Sequence, residues 1–349
     1  MILVNTPGSW SYVYAPLKHS KWHGCTLTDL IFPFFLFIVG AAMRYSFGKF
    51  KDKTSPAIIR KILKRVVWIF LIGLALNAFP FKTALSNLRI WGVLQRIAIA
   101  YGIAAILCLW FNPKKLMIVS GILLIGYWLL LVGFGPGDPY AVETNMVRII
   151  DLTIFGGHHL WMGKGIPFDP EGLLSTLPAV VTVLSGYLTG QLLQAESILK
   201  SAVYKIFCSG VAAALLGSMW GIIFPINKSL WTSSYVLYTT GWAMICLAVL
   251  LWVIDIKGYK KWNDPFVVFG TNSLFVYILS ILWIKIFIHL IKISTADGSF
   301  ISGYDWIFNQ LFVPVAGNFN GSFLFALAHV FIFWGVCFIL YHKKIFMRI

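Results

Sequence analysis

The 349 residues carry 28 lysines and arginines against 12 acids, a net charge of +16, while 59% of the chain is hydrophobic and only 11% charged. That balance excludes a soluble domain: a spanning helix needs roughly 20 mostly apolar residues, and such runs follow one another along the chain. Nor does the basic excess indicate nucleic acid, because the lysines sit between the apolar runs, where they orient a membrane protein.

The runs lack strand alternation, and backbone inside a bilayer must satisfy its own hydrogen bonds, so the spans are helices. The predicted fold is an all-α polytopic membrane protein, one transmembrane domain over residues 1–349. Met1-Ile2-Leu3-Val4 reads as the tail of a first span that is truncated, and nothing here reads as a cleavable signal peptide. Complete spans follow near 27–47, 60–79, 91–111, 114–134, 172–193, 202–224, 232–254, 264–291 and 322–341, a bundle of about nine to ten helices. Segment 304–316 is too short to span and is expected to lie in the outer interface. Four of the five cysteines fall inside apolar runs, and none follows metal or disulfide spacing.

Basic residues mark every second connection. Lys49, Lys51, Lys53, Arg60, Lys61, Lys64 and Arg65 crowd the first; Lys114 and Lys115, Lys200 and Lys205, Lys257, Lys260 and Lys261, and Lys343, Lys344 and Arg348 mark the rest. By the positive-inside rule these connections and the C-terminus are cytoplasmic, and 5–26, 78–90, 135–171, 225–231 and 292–321 face out. The loops 5–26 and 135–171 are the richest in polar and aromatic residues, so the outer side is the expected side of the chemistry.

The candidate residues follow in chain order. His19 and His23, within Lys18-His19-Ser20-Lys21-Trp22-His23-Gly24, put titratable nitrogen at the outer surface. Histidine there serves as base, nucleophile or acyl carrier, or it anchors a loop beside Trp22; a metal site lacks a third ligand. His158-His159 shares that ambiguity. Asp29 stands at the start of an apolar run, where an acid is expensive; it either caps the helix or orients a neighbouring histidine. Arg96, next to Gln95 inside the span 91–111, must face a polar cavity or a carboxylate, as a structural tie or as an anchor for an anionic ligand. Asp169 and Glu171 precede another span, where they cap it or hold a cationic or hydroxyl-bearing acceptor. Asn227, Lys228 and Trp231 open a further outer turn, and Asn272 interrupts a span with an amide that needs partners.

Several blocks in this order resemble one family. Asn5-Thr6-Pro7-Gly8-Ser9-Trp10, Lys18-His19-Ser20-Lys21-Trp22, Thr28-Asp29-Leu30-Ile31-Phe32-Pro33, Gly92-Val93-Leu94-Gln95-Arg96, Phe168-Asp169-Pro170-Glu171-Gly172, Pro225-Ile226-Asn227-Lys228-Ser229-Leu230-Trp231, Gly270-Thr271-Asn272-Ser273 and Tyr341-His342-Lys343-Lys344-Ile345-Phe346 are similar to the heparan-α-glucosaminide N-acetyltransferase family and its bacterial relatives. The resemblance implies a transmembrane acetyltransferase that takes acetyl from cytosolic acetyl-CoA to the amine of a glucosamine across the membrane. The histidine of the family's K-H-x-x-W block is His19 here, and Asn5 matches the asparagine of the preceding block. His23 stands where the human-type block has asparagine, so no role is carried over to it. The family's upstream D-x-x-R-G motif lies before Asn5 and is not in this sequence, which leads to the expectation that Met1 is an internal start.

The expected mechanism needs no metal. His19 carries the acetyl or acts as general base, Asn5 donates to the oxyanion, and Asp29 fixes the histidine tautomer. Arg96 and Gln95 contact acetyl-CoA, and Asp169, Glu171, Asn227, Lys228, Trp231 and Asn272 hold the amino-sugar or glycan acceptor. The expected location is a bacterial inner membrane, with the His19 loop periplasmic; a homodimer is compatible with the sequence. Two rivals stay open: a sugar or organic-anion transporter, which would not need His19, and an envelope-glycan O-acetyltransferase, which changes only the acceptor.

Overall fold

A computed structural model describes residues 1–48, 55–295 and 298–347. Lys49, Lys51, Lys53 and Arg348, four of the residues in the charge pattern, lie outside the described residues. The described residues are mostly helical: α1 (Ile2–Asn5), α2 (Ile31–Phe47), α3 (Pro56–Ala78), α4 (Val93–Trp110), α5 (Pro113–Phe134), α6 (Met146–Phe155), α7 (Thr176–Ala195), α8 (Leu199–Trp220), α9 (Ser233–Leu251), α10 (Asp264–Thr271) and α11 (Ser273–His289). A short antiparallel pair, β1 (Lys292–Ser294) with β2 (Phe300–Ser302), then leads to α12 (Gly303–Ile307) and α13 (Val313–His342).

Local chemistry sets the helix starts. Pro56 and Pro113 sit in the first turns of α3 and α5, where the missing N–H costs nothing, and Ser55, Asn112, Asn145 and Thr232 each accept a backbone N–H of the turn they precede. Small residues set the closest crossing. A Cβ on Gly40 of α2 would lie 1.9 Å from the Val183 carbonyl oxygen of α7, and one on Gly186 would lie 1.8 Å from that of Phe37. With no side chain at either position the two backbones touch, the usual means of joining helices in lipid.

The centre is α4 and α7: 67% of the apolar 18-residue stretch of each is buried, against 22% for α5, which turns its flank outward. Among the described residues, seven helices are long and apolar enough to cross a membrane, and an eighth is the pair α10 and α11, bent by 78° at Asn272. Eight of the nine predicted complete spans meet that measure. The difference is the predicted span 60–79: α3 has the length, but Arg60, Lys61, Lys64 and Arg65 load its first half with charge. Two further expectations change. Loop 135–171 contains a helix of its own, α6, and segment 304–316 is the head of one long helical stretch, Gly303–His342, kinked at Gly317 (φ 71°).

Candidate functional site

The loop before α2 folds back over the start of that helix, and Asp29 holds it there. Its carboxylate accepts the backbone N–H groups of Ser20 and Thr26 and the Thr26 hydroxyl, each at 3.0 Å, and meets His19 Nδ1 at 2.6 Å. All these partners precede Asp29, so it staples the loop rather than capping α2. Asp29 is fully buried, whereas the His19 side chain is 43% exposed. A proton on Nδ1, toward the carboxylate, would leave Nε2 with its lone pair directed away from that bond.

Lys228 closes the cluster, its Nζ 3.4 Å from Asp29 Oδ1 and 3.1 Å from His19 Nδ1. Burial pulls the Lys228 ammonium below its ordinary value, although Asp29 and Glu171 work to raise it. The Lys228 turn is fixed by Asn227, fully buried, whose Oδ1 accepts the Leu230 N–H at 2.9 Å and whose Nδ2 lies 3.3 Å from His23 Nδ1. Trp231 completes the turn in the left-handed region (φ 52°), its indole N–H donating to Thr182 Oγ1 at 3.3 Å. Cys25, beside this cluster, is not a rival nucleophile: burial and the nearby Asp29 push its thiol up to about 12, with Lys228 opposing.

A cavity of about 570 Å³ opens beneath, reached by His19, Lys228, Trp231, Gln95, Glu171 and Lys285. Sequence reasoning missed its main ion pair. Arg89 Nε and Nη2 hold Asp169 as a fork at 2.8 and 2.7 Å, and Nη2 also meets Glu171 at 2.8 Å. Burial works against the Arg89 cation, but its bonds to Asp169 and Glu171 more than offset this and raise its pKa. Both acids are thus matched to a cation, and Asp169 is fully buried behind Glu171. The signal was a lone arginine in Leu88-Arg89-Ile90-Trp91, together with two acids that had no nominated partner. Lys285, a cation within a span, was missed too; its Nζ donates to the Leu76 and Phe79 carbonyls at 2.5 and 3.4 Å, at the end of α3.

The other candidates separate. Gln95 lines the cavity, but Arg96 does not: it is fully buried, donates to the Gly172 carbonyl at 3.3 Å and to the Ser175 hydroxyl, and lies 5.0 Å from the Trp231 ring. It ties α4 to the start of α7. Asn5 is not among the cavity residues; its segment packs near α12 and α13, where Tyr304 donates to the Pro7 carbonyl at 2.8 Å. Asn272 stands at the break between α10 and α11 and clasps the tail, donating to the Ile345 carbonyl at 3.1 Å and accepting the Met347 N–H at 2.8 Å. His159 Nδ1 meets the Leu88 carbonyl at 2.7 Å, so it anchors a loop. No group of three metal-ligating side chains occurs among the described residues.

Asn272 instead borders a second cavity, of about 840 Å³, with Lys61, Lys64 and Arg65 of α3. The two cavities use the same helices at opposite ends. Ile72 and Leu274 belong to the basic cavity, Gly73 and Tyr277 to the His19 cavity, so the linings adjoin in the last third of α3 and at the start of α11. From Lys61 to Gly73 the rise along α3 is roughly 18 Å.

Asp151, on α6, supplies a test of the packing beside Arg96. It is fully buried; Oδ1 accepts the Leu173 N–H at 3.0 Å and Oδ2 has no partner. Burial pushes its carboxyl from 3.8 up to about 7, helped by Asp169 and opposed by Leu173 and Arg96. Between those values the unfolded chain releases a proton that the folded chain keeps. This group's contribution to stability is therefore full below about pH 4 and lost as pH rises through 7. The melting temperature in detergent should fall between pH 5 and 8, and Asp151→Asn should flatten that fall; equal slopes in both proteins would contradict the burial.

A family profile described as "Heparan-alpha-glucosaminide N-acetyltransferase, catalytic" matches residues 9–218, well over half of the chain. The chain belongs to this acetyltransferase family. The matched segment contains His19, Asp29, Arg89, Gln95, Asp169 and Glu171, whereas Asn5, Lys228 and Asn272 fall outside it. Two relatives carry the name heparan-alpha-glucosaminide N-acetyltransferase: a mouse protein 28% identical over 249 residues and a human one 27% identical over 246. Each alignment takes in 55% of this chain but only 37% of the mouse and 36% of the human protein, so the chain spans little more than a third of these relatives.

Proposed function

We propose that this chain is a transmembrane acetyltransferase that moves acetyl from acetyl-CoA to the amine of a glucosamine-type sugar, with His19 as general base. The observation that carries this reading is the His19–Asp29 contact at 2.6 Å at the mouth of a cavity that adjoins a second, basic cavity at the far end of the same helices. Lys61, Lys64 and Arg65 suit the phosphates of acetyl-CoA, and the shared helices give its extended pantetheine arm a route toward His19. The basic connections argue for a cytoplasmic donor cavity and C-terminus, with the His19 loop periplasmic in a bacterial inner membrane. Residues 1–349 act as a single acyltransferase domain in this reading.

Two adjoining cavities suit both substrates bound at once, so transfer is direct. The sugar nitrogen attacks the thioester carbon while its proton passes to His19 Nε2; the carbon–sulfur bond then breaks, and the CoA thiolate takes that proton. Asp29 stabilises the imidazolium formed in between. Glu171 and Trp231 border the acceptor, with Glu171 held in place by Arg89.

The experiment is transfer of labelled acetyl by the purified protein. Labelled N-acetylglucosamine is expected when both substrates are present, and no CoA release before the acceptor is added. A burst of CoA without acceptor would replace direct transfer with an acetyl-histidine route. Flux of glucosamine through vesicles with no acetyl transfer would replace the enzyme with a transporter.

A further inference from the structure

We infer that Gln95 donates a hydrogen bond to the carbonyl oxygen of the acyl donor at the junction of the two cavities, and so stabilises the oxyanion formed there. This rests on the acetyl-CoA reading above and assigns the recognition of its acyl group to one side chain.

Three observations converge on Gln95. It lines the His19 cavity but is only 1% exposed, on the first turn of α4. Its amide nitrogen has no partner; of the buried side-chain polar atoms left unpaired among the described residues, it alone belongs to a residue of this cavity. A buried amide N–H left unpaired is costly, and a ligand that brings an acceptor oxygen relieves that cost.

The third observation is the space kept for it. A Cβ on Gly73 would lie 2.5 Å from Gln95 Oε1, and one on Gly92 would lie 2.9 Å from the same atom. Two glycines on neighbouring segments thus leave a slot that the amide fills. Asn77, next to the slot, donates its N–H groups to the Arg89 and Trp91 carbonyls, each at 2.9 Å. Gly73 is also the residue after Ile72, where the linings of the two cavities adjoin. The final torsion of a glutamine is soft, so the amide can turn its N–H toward an oxygen in the cavity without moving the backbone.

The acyl donor supplies that oxygen. When the amine attacks, the carbonyl electrons move onto oxygen, and an N–H already in place stabilises the charge that develops. When the carbon–sulfur bond breaks, the oxygen returns to a neutral carbonyl in the product amide. Asn5, the residue expected in this role, does not line the cavity.

The test separates acyl recognition from general binding. The affinity of the full chain in detergent is measured for acetyl-CoA and for S-ethyl-CoA, in which a methylene replaces the carbonyl. The wild type should favour acetyl-CoA about tenfold. Gln95→Met, similar in shape but without donors, should abolish that preference while binding S-ethyl-CoA unchanged. With saturating substrates, its kcat should fall ~10²-fold. A preference retained in Gln95→Met would overturn the inference while leaving the enzyme reading intact; binding of neither ligand by the wild type would sink the acetyl-CoA reading itself. If Gln95→Met does not fold, Gly73→Ala displaces the same amide and should weaken the same preference, and an unchanged preference there counts equally against the inference.

Discussion

Replacing His19 with alanine is expected to lower acetyl transfer at least ~10³-fold while leaving the fold intact. Asp29 keeps its bonds to Ser20 and Thr26 in that variant, so the loop stays closed over α2 without the imidazole. Asp29→Asn should be nearly as severe, ~10²-fold or more. A neutral amide cannot balance the imidazolium, and its NH₂ group, turned toward Nδ1, would select the wrong tautomer. The structural cost is also larger there, because three donors lose a charged acceptor. The check is kcat for each variant beside its melting temperature. A His19→Ala protein that still transfers acetyl within a few-fold of the wild type would remove His19 from the chemistry.

The second large effect is on stability. Arg89→Ala strands Asp169, which is fully buried and held by both prongs of the guanidinium, and leaves Glu171 without its cation. Breaking a buried pair from one side commonly costs 3–5 kcal/mol. The Arg89 side chain is 28% exposed, so water screens part of this, and a loss of ~3 kcal/mol is expected. Arg89→Lys should recover only part, because an ammonium cannot reproduce the two-pronged geometry. Asp169→Asn should cost less than Arg89→Ala, since Glu171 still satisfies the arginine. Thermal unfolding in detergent ranks the three variants. Equal melting temperatures for Arg89→Ala and the wild type would show that the pair does not hold the 79–92 loop to the start of α7.

What the chain reveals before it is folded follows from how far each constraint reaches along it. Spans are legible because lipid imposes a local demand of length and apolarity. His19 and Asp29 are legible for the same reason: ten residues separate them, inside one loop and the turn after it. The cavity's other pairings join distant segments. Arg89 meets Asp169 across 80 positions, Lys228 meets His19 across 209, and Lys285 meets Leu76 across 209. No local pattern shows which cation serves which acid.

Asn272 is a different case, because the sequence did hold the needed signal. It lies only eight residues after Asp264, which follows the basic connection Lys257, Lys260 and Lys261, so it belongs near that end of its span. Grouping it with the outer acceptor residues overlooked that register. For Gln95 and Arg96 the sequence gives adjacency but not direction. On a helix, neighbours point about 100° apart, and here one lines the cavity while the other ties α4 to the turn before α7.

The central claim is that acetyl crosses between the two ends of the bundle, from the basic cavity to the His19 cavity. The most direct measurement encloses glucosamine in proteoliposomes, supplies labelled acetyl-CoA only outside, and selects vesicles whose C-terminus faces outward. Labelled N-acetylglucosamine inside, absent with Asp29→Asn and with protein of the opposite orientation, is the predicted result. Acetylated sugar only outside the vesicles, or none in either orientation while the protein binds acetyl-CoA, would contradict transfer across the membrane.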